Sequence, residues 1–431
     1  MKKTRYVVVG TGGRSAMYIE GLSGPFADVG ELAGFCDVSP ARMAFYNERL
    51  VKKGQAAVPT APPSDFEALL RAVRADRVIV TPPDRWHDHY IIRAMQAGCD
   101  VVCEKPMTID APRCRAILQA TADTGRKLIV TFNYRYAPKC TKVKELLASG
   151  VIGRVVHVDY EWLLDTSHGA DYFRRWHRRK ANSGGLLVHK ATHHFDMVNW
   201  CLDAAPVEVF ARGSLAFYGA ANGHGPDGRT DRCRTCRADC RFRLDLAANA
   251  NHKALYLDAE RDNPYQRDQC VFGEGIDIED NAGLVVRFDS GATMSYGLVA
   301  FSAYEGSRIV FTGTRGRLEY ANQETAFMAR PDGTCELGNP PHGARIEVFP
   351  MFKPSYTVPF ETVSGGHDGA DTRLLADIFR GVGSDPLHHA ADHFDGARGI
   401  LIGIAANQSI ATGEPVRIDE LVPLPPKQRI R

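Results

Sequence analysis

No stretch of this chain approaches the roughly 20 consecutive apolar residues that a bilayer-spanning helix needs. A dominant charge is missing too: 53 Lys and Arg stand against 51 Asp and Glu, a net charge of +2. That balance argues against a dedicated nucleic-acid or membrane-surface binder, which needs a large basic excess. A secretory leader is not expected either. After Met1-Lys2-Lys3 the apolar run Tyr6 to Val9 is broken by Gly10, Gly12 and Gly13, short of the roughly 7–15 residues of a leader's core. A cytoplasmic location is the default expectation. The cysteines lack a paired framework: they number 11, are scattered, and sit mostly in apolar segments such as Val101-Val102-Cys103. They read as buried thiols rather than disulfides. Internal repeats are absent. What is present is an ordinary globular balance, 44% hydrophobic and 24% charged over 431 residues, which excludes disorder as the main state and suits two or three domains.

Residues 1–134 alternate short apolar runs with amphipathic stretches. Arg5 to Val9, Leu32 to Cys36, Val78 to Thr81, Val101 to Cys103 and Leu128 to Phe132 read as strands. Ser15 to Leu22, Ser39 to Val51 and Tyr90 to Ala97 read as helices, Ser39 capping one of them with Pro40 at its first position. Strands alternating with helices predict a parallel sheet covered on both faces, an α/β dinucleotide-binding (Rossmann) domain. Over 135–370 longer strands dominate, with Phe288-Asp289-Ser290-Gly291 as a hairpin signal. This predicts an α+β domain on a mostly antiparallel open sheet, with helices at Lys139 to Ala148 and His193 to Cys201. A Cys-rich insertion lies near 225–275, and Pro331 to Pro350 reads as a surface loop. Residues 371–431 read as helices packing back on the core, Gly396 to Ala411 being the clearest.

Gly10-Thr11-Gly12-Gly13-Arg14-Ser15 follows the first strand and opens a helix. Gly10 allows the tight turn and Gly12 lets the backbone approach a pyrophosphate. Arg14 lies in the same loop, and Ser15 takes the third glycine's place while staying small enough for close packing. Asp37 ends the second strand, where an acid binds the ribose 2′-hydroxyl and repels a 2′-phosphate. NAD is therefore favoured, with Arg42 keeping NADP as the alternative.

Pro83-Asp84 with His87, Ala97-Gly98, Glu104-Lys105-Pro106 at a strand end and Asn133-Tyr134-Arg135-Tyr136 resemble the Gfo/Idh/MocA oxidoreductases. Gly313-Thr314-Arg315-Gly316-Arg317-Leu318-Glu319 resembles that family's late strand–turn–strand, so the likeness runs through nearly the whole chain. It implies a Rossmann domain followed by an open-sheet domain that shapes the substrate site and commonly mediates homo-oligomers, here a dimer or tetramer. It also implies that Pro83, His87, Glu104, Lys105 and Asn133 serve the cofactor, with Lys105 catalytic and touching substrate. The family's second element, G-G-x-x-x-D-x-G-x-H-x-x-D, corresponds to Gly184 through Asp196. His193 matches the catalytic histidine and Asp196 matches too, while His189 and Lys190-Ala191 replace the usual Asp and small pair. The result resembles a subgroup with H-K-x-T-H-H-F-D, associated with sugars and glycosides. His189, His193 and His194 are then substrate-side residues, the first two catalytic. His194 and Asp196 read equally well as buried supports. His189 and His193 are four apart and share a face if this part is helical. A metal between them is disfavoured by the intervening Lys190. Gly365-Gly366-His367-Asp368-Gly369-Ala370-Asp371 resembles a polar loop of the same subgroup.

Phe173-Arg174-Arg175-Trp176-His177-Arg178-Arg179-Lys180 reads as a solvated face, or as an anion site in which Arg174 and Arg178 hold a carboxylate, phosphate or sulfonate. Cys233, Cys236, Cys240 and Cys270 have the spacing of a structural zinc site stapling a polar excursion. Three cysteines with His252, an iron–sulfur cluster and free thiols are the alternatives. The function expected is NAD-dependent hydride transfer with a secondary hydroxyl of a sugar or glycoside. The alternatives are an oxidoreductive glycosidase that uses NAD transiently, possibly on a sulfonated sugar, and an NAD-binding sensor without chemistry.

Overall fold

The computed structural model describes residues 2–325, 327–329, 335–337, 343–363 and 369–427. The chain divides into two compact units. One comprises Met1–Tyr136, Leu246–Arg267 and Ser364–Ala397; the other comprises Ala137–Asp245, Asp268–Val363 and Arg398–Arg431. Among the described residues no helix is long and apolar enough to cross a membrane.

The first unit is built on strands β1 (Thr4–Val9), β2 (Gly30–Cys36), β3 (Thr60–Ala61), β4 (Arg77–Val80), β5 (Asp100–Cys103) and β6 (Leu128–Val130). They pair in the order β3-β2-β1-β4-β5-β6, every pair parallel. Tyr6 to Val9 and Val78 to Val80 are at most 1% exposed, because a parallel sheet covered on both faces needs continuous apolar runs rather than alternation. The sheet grows outward in both directions from β1 and β4. Their carboxyl ends flank the crevice where ligands bind in such sheets. Helix Pro40–Lys52 starts as its sequence dictates, with Pro40 in the first turn and the Ser39 hydroxyl accepting the Arg42 amide. Helix Ala111–Thr124, which its weak amphipathicity hides in the sequence, is capped by Asp110 and closed by left-handed Gly125. Helix Ala370–Arg380 also belongs here: Phe379 meets Tyr6 edge-on at 5.1 Å.

The second unit carries β7 (Val155–Asp165), β8 (Pro206–Ser214), β9 (Asn281–Phe288), β10 (Thr293–Ser302), β11 (Glu305–Gly313) and β12 (Gly316–Thr325), then β15 (Gly343–Pro350), β16 (Tyr356–Thr357) and β17 (Val416–Arg417). The sheet order is β16-β15-β12-β11-β7-β10-β9-β8-β17. All neighbours are antiparallel except β7 and β10. Strands β13 (Phe327–Ala329) and β14 (Cys335–Leu337) form a separate ribbon. Strand β9 shows why one face is covered: Ala282, Leu284, Val286 and Phe288 are buried, while Gly283, Val285 and Arg287 alternate outward. The expected hairpin after it is present, with Gly291 at φ 81° and its amide on the Phe288 carbonyl. The expected surface loop over Pro331 to Pro350 is corrected in its last part. Gly343–Pro350 is a paired strand with Ile346 and Val348 in the core, its short alternation masked by the prolines and glycines around it. Of the Gly365 to Asp371 loop, residues 365–368 lie outside the described residues.

Helix His393–Thr412 presses on the segment that carries the histidines. A Cβ added at Gly403 would lie 2.2 Å from the Leu187 carbonyl oxygen, so any side chain there must displace backbone. Gly403→Ala is expected to cost about 1–3 kcal/mol, the usual price of overpacking. Thermal melting checks this; an unchanged melting temperature would show that the contact is not tight.

Candidate active site

The cofactor end of the first unit starts where β1 stops. Gly10 turns with φ +84°, and a Cβ there would fall 2.4 Å from the Pro82 nitrogen, so no other residue fits without moving the backbone. Its amide donates to the Cys36 carbonyl at the end of β2. The next residue, Thr11, gives both its amide (2.5 Å) and its hydroxyl (3.0 Å) to one carboxylate oxygen of Asp37. The other oxygen accepts the Ser39 amide at 2.8 Å. A carboxylate offers about four acceptor positions, so three bonds leave capacity for a ribose hydroxyl. Ser15 and Tyr46 donate their hydroxyls to the Gly12 carbonyl at 2.7 and 2.8 Å, which pins the turn from behind. Arg42 gives its Nε to the Leu255 carbonyl at 2.8 Å and stays 3.9 Å from Asp37. It is engaged on protein groups rather than held ready for a 2′-phosphate. A turn stripped of side chains, with an acid anchored beside it, fits a dinucleotide.

The carboxyl ends of β4 and β5 are joined by His87, 1% exposed. Its Nδ1 lies 2.7 Å from the Pro106 carbonyl and its Nε2 3.0 Å from that of Pro82. Burial pushes its pKa down, although those carbonyls and Glu104 act the other way. A neutral ring donates to only one of the two oxygens. His87 thus braces the edge on which Pro83 and Lys105 sit. Glu104 is 4% exposed and one of its oxygens accepts both Arg14 Nε at 2.6 Å and the Tyr18 hydroxyl at 2.7 Å. Burial opposes the charge on Arg14, but Glu104, Tyr18 and Asp371 together raise its pKa. Asp371 in turn accepts from the Asn133 amide at 2.8 Å. Glu104, Arg14, Asp371 and Asn133 therefore form one network in this unit. The half-buried Lys105 follows directly on Glu104, and its peptide bond to Pro106 is cis.

The histidine segment belongs to the second unit. Gly184 and Gly185, both with positive φ, lead into the short helix Leu186–His189. A turn at Lys190-Ala191 then separates it from helix Thr192–Leu202. His189 and His193 therefore stand on different helices, and the condition for a shared helix face is not met. His189 sits among rings: His177 at 4.2 Å, Tyr172 at 5.6 Å and Trp176 at 5.7 Å between centroids. His193 is 7% exposed. His194 is fully buried, stacked on Trp162 at 4.1 Å, with Nδ1 2.7 Å from the Tyr296 hydroxyl. Lys190 lies with Nζ 4.8 Å from the centre of the same Trp162 ring, and burial lowers its pKa against the pull of Glu305 and Glu324. Close by in this unit, His168 joins Glu305 (2.9 Å) to the Tyr172 hydroxyl (3.0 Å). Burial would raise the Glu305 pKa, but His168 and Lys190 carry it below the ordinary value. Lys190 was visible inside the motif; Thr11, Tyr18, His168 and Glu305 were not, because only tertiary contacts select them.

Within the arginine run, Arg179 is exposed, whereas Arg174 and Arg178 are turned inward onto protein groups. Arg174 and Arg178 are 6% and 5% exposed. Arg174 donates to the Phe242 carbonyl at 3.1 Å, and Arg178 donates to Gln269 at 3.2 Å and the Glu274 carbonyl at 2.7 Å. They staple the Cys-rich insertion, whose demand for donors the sequence could not display. The zinc expectation is not supported. Cys233, Cys236, Cys240 and Cys270 do line one cavity of about 20 Å³. Yet among the described residues no group of three or more His, Cys, Asp or Glu is arranged to hold a metal ion. Within the insertion Phe242 packs against Phe272 at 5.2 Å, and both lie beside Tyr218, which is stacked on Phe173 at 4.1 Å.

Residues 4–132 match the family described as "Oxidoreductase family, NAD-binding Rossmann fold", and residues 144–418 match "Oxidoreductase family, C-terminal alpha/beta domain". A Bacillus subtilis (strain 168) protein with the provisional name oxidoreductase YteT is 37% identical over 425 residues, 94% of this chain and 95% of that one. Inositol 2-dehydrogenase of Rhizobium meliloti (strain 1021) is 34% identical over 150 residues, 35% of this chain and 43% of its own length. Among solved structures, an oxidoreductase from Agrobacterium radiobacter in complex with NAD+, L-tartaric acid and magnesium superposes with a TM-score of 0.65. That match covers 98% of this chain and all of the other at 15% identity, a likeness of fold. With its glycine loop, its anchored Asp37 and both domains accounted for, the chain belongs to the Gfo/Idh/MocA oxidoreductase family.

Proposed function

We propose that this protein is an NAD-dependent oxidoreductase that moves a hydride between nicotinamide and a secondary hydroxyl of a sugar or glycoside. The observation that carries this reading is the glycine turn locked to Asp37 at the carboxyl edge of the parallel sheet, with Glu104 and Lys105 ending a neighbouring strand. Gly10, Gly12, Gly13 and Arg14 would line the phosphate side, and Asp37 would take the ribose. Bound there, NAD would accept or return the hydride. A polyol or sugar as substrate is supported by the inositol dehydrogenase likeness. A neutral sugar is favoured over a sulfonated one, because Arg174 and Arg178 are engaged by the insertion.

The chain's own groups supply the proton work. Lys105 is assigned to hydrogen-bond the reacting hydroxyl, stabilising negative charge as the proton leaves. His193 is assigned to take that proton, a task that suits an imidazole near neutral pH. His189, lacking a carboxylate, orients substrate among Tyr172, Trp176 and His177.

Lys105→Ala and His193→Ala should each lose about 10²–10⁴ in turnover, as acid–base deletions do, while NAD binding measured by calorimetry stays within a few-fold of wild type. A variant turning over at near wild-type rate would remove that residue from the mechanism. Asp37→Ser should weaken NAD and improve NADP relative to it, since the charge that repels a 2′-phosphate is gone; wild-type protein binding NADP more tightly than NAD would overturn the assignment. Counting NADH against product separates net dehydrogenation, at one NADH per turnover, from redox-neutral glycoside cleavage, which releases aglycone with none.

A further inference from the structure

Residues Leu246–Arg267 are embedded in the sequence of the second unit but fold as part of the first. Their contacts there fall on the cofactor loop and the end of β2. The Tyr256 hydroxyl accepts the Gly13 amide at 2.9 Å, and its ring is 9% exposed, with the Arg267 guanidinium 4.7 Å from its centre. Arg42, five residues beyond Asp37, donates to the Leu255 carbonyl at 2.8 Å. One oxygen of Asp262 accepts the Ser39 hydroxyl at 2.5 Å and the Ala41 amide at 3.0 Å. The segment is thus latched on both sides of the place where a Rossmann loop receives a pyrophosphate and a ribose.

Gly13 supplies an independent mark of this arrangement. In G-x-G-x-x-S it occupies a free position, so the fingerprint does not ask for glycine there. A Cβ on Gly13 would lie 2.8 Å from the Tyr256 oxygen. A side chain at position 13 would thus displace the Tyr256 hydroxyl from its place on the loop.

We propose that Leu246–Arg267 is a strap that holds the dinucleotide as a resident group, with Tyr256 a contact on the pyrophosphate side and Asp262 and Arg42 its latches. The proposal rests on the NAD reading above. While its oxygen accepts the Gly13 amide, the Tyr256 hydroxyl keeps its own proton and can donate it to a phosphate oxygen. Release then requires the latches at Ser39, Ala41 and Leu255 to open, which makes exchange a conformational step. A retained dinucleotide is what redox-neutral chemistry needs, because the hydride must return to the sugar that gave it.

The test uses the full chain loaded with radiolabelled NAD and chased with unlabelled NAD, without substrate. Label should leave Tyr256→Phe and Asp262→Asn faster than wild type, by roughly two- to tenfold for each lost hydrogen bond. Release within a factor of two of wild type from both variants, at unchanged melting temperature, would overturn the strap. If either variant is misfolded, hydrogen exchange on wild-type protein decides: NAD should raise protection over residues 250–262, and unchanged protection there overturns the proposal. Wild-type protein that binds no NAD at all refutes the oxidoreductase reading itself, a different result from NAD bound with strap-independent exchange.

Discussion

Asp37 is the residue on which the cofactor end is built. A carboxylate only 6% exposed loses most of its hydration and needs donors in place of the water. Those donors are the amide and hydroxyl of Thr11 and the amide of Ser39. Meeting that need has two structural results: the glycine turn is tied to β2, and the next helix must begin at Ser39. Hydrogen bonds to charged groups are worth about 1.5–3 kcal/mol each, enough to hold a loop that glycines would otherwise leave loose. The acid to which the proposed function gives the ribose is thus also the anchor of the glycine loop.

Glu104 repeats the same logic at the other edge. It is buried, accepts Arg14 and Tyr18 on one oxygen, and through Arg14 and Asp371 reaches Asn133. Helix Ala370–Arg380 is therefore more than a late cover for the sheet. It brings Asp371, from the far end of the sequence, to the residues that follow β5 and β6. The second unit solves a different problem. It packs Lys190, His189 and His194 with aromatic rings, and Trp162 serves two of them by stacking on His194 and lying under Lys190.

Local rules made much of this legible. Gly10, Asp37 and the Ser39-Pro40 start are read within a few residues, because turn, strand end and helix cap are short-range events. The alternation of β9 and its hairpin are equally local. Long-range choices were hidden. The four-residue spacing of His189 and His193 would give a shared face only within one helix, and a turn at Lys190-Ala191 divides them. Arg174 and Arg178 looked like free charge because their partners, the Phe242 and Glu274 carbonyls, are backbone atoms about 70 to 100 positions away that carry no signature of acceptor demand. The cysteine spacing suggested zinc, while the aromatic rings that fill the insertion were scattered through Phe173, Tyr218, Phe242 and Phe272.

The glycine loop shows how one sequence pattern can hold three separate constraints. Gly10 is required by the backbone of Pro82, which leaves no room for a Cβ. Gly12 keeps an open face: the nearest atom to an added Cβ is the Tyr256 oxygen, 3.9 Å away, which is ordinary contact. A methyl there would be tolerated by the protein itself. Gly13 has the opposite balance, since its Cβ would collide within the protein, at Tyr256, before any ligand arrived. Gly10 therefore follows from backbone packing and Gly13 from a side-chain contact, while at Gly12 the chain's own packing makes no demand for glycine. A fingerprint counted by its glycines alone would weigh them equally; their surroundings rank them.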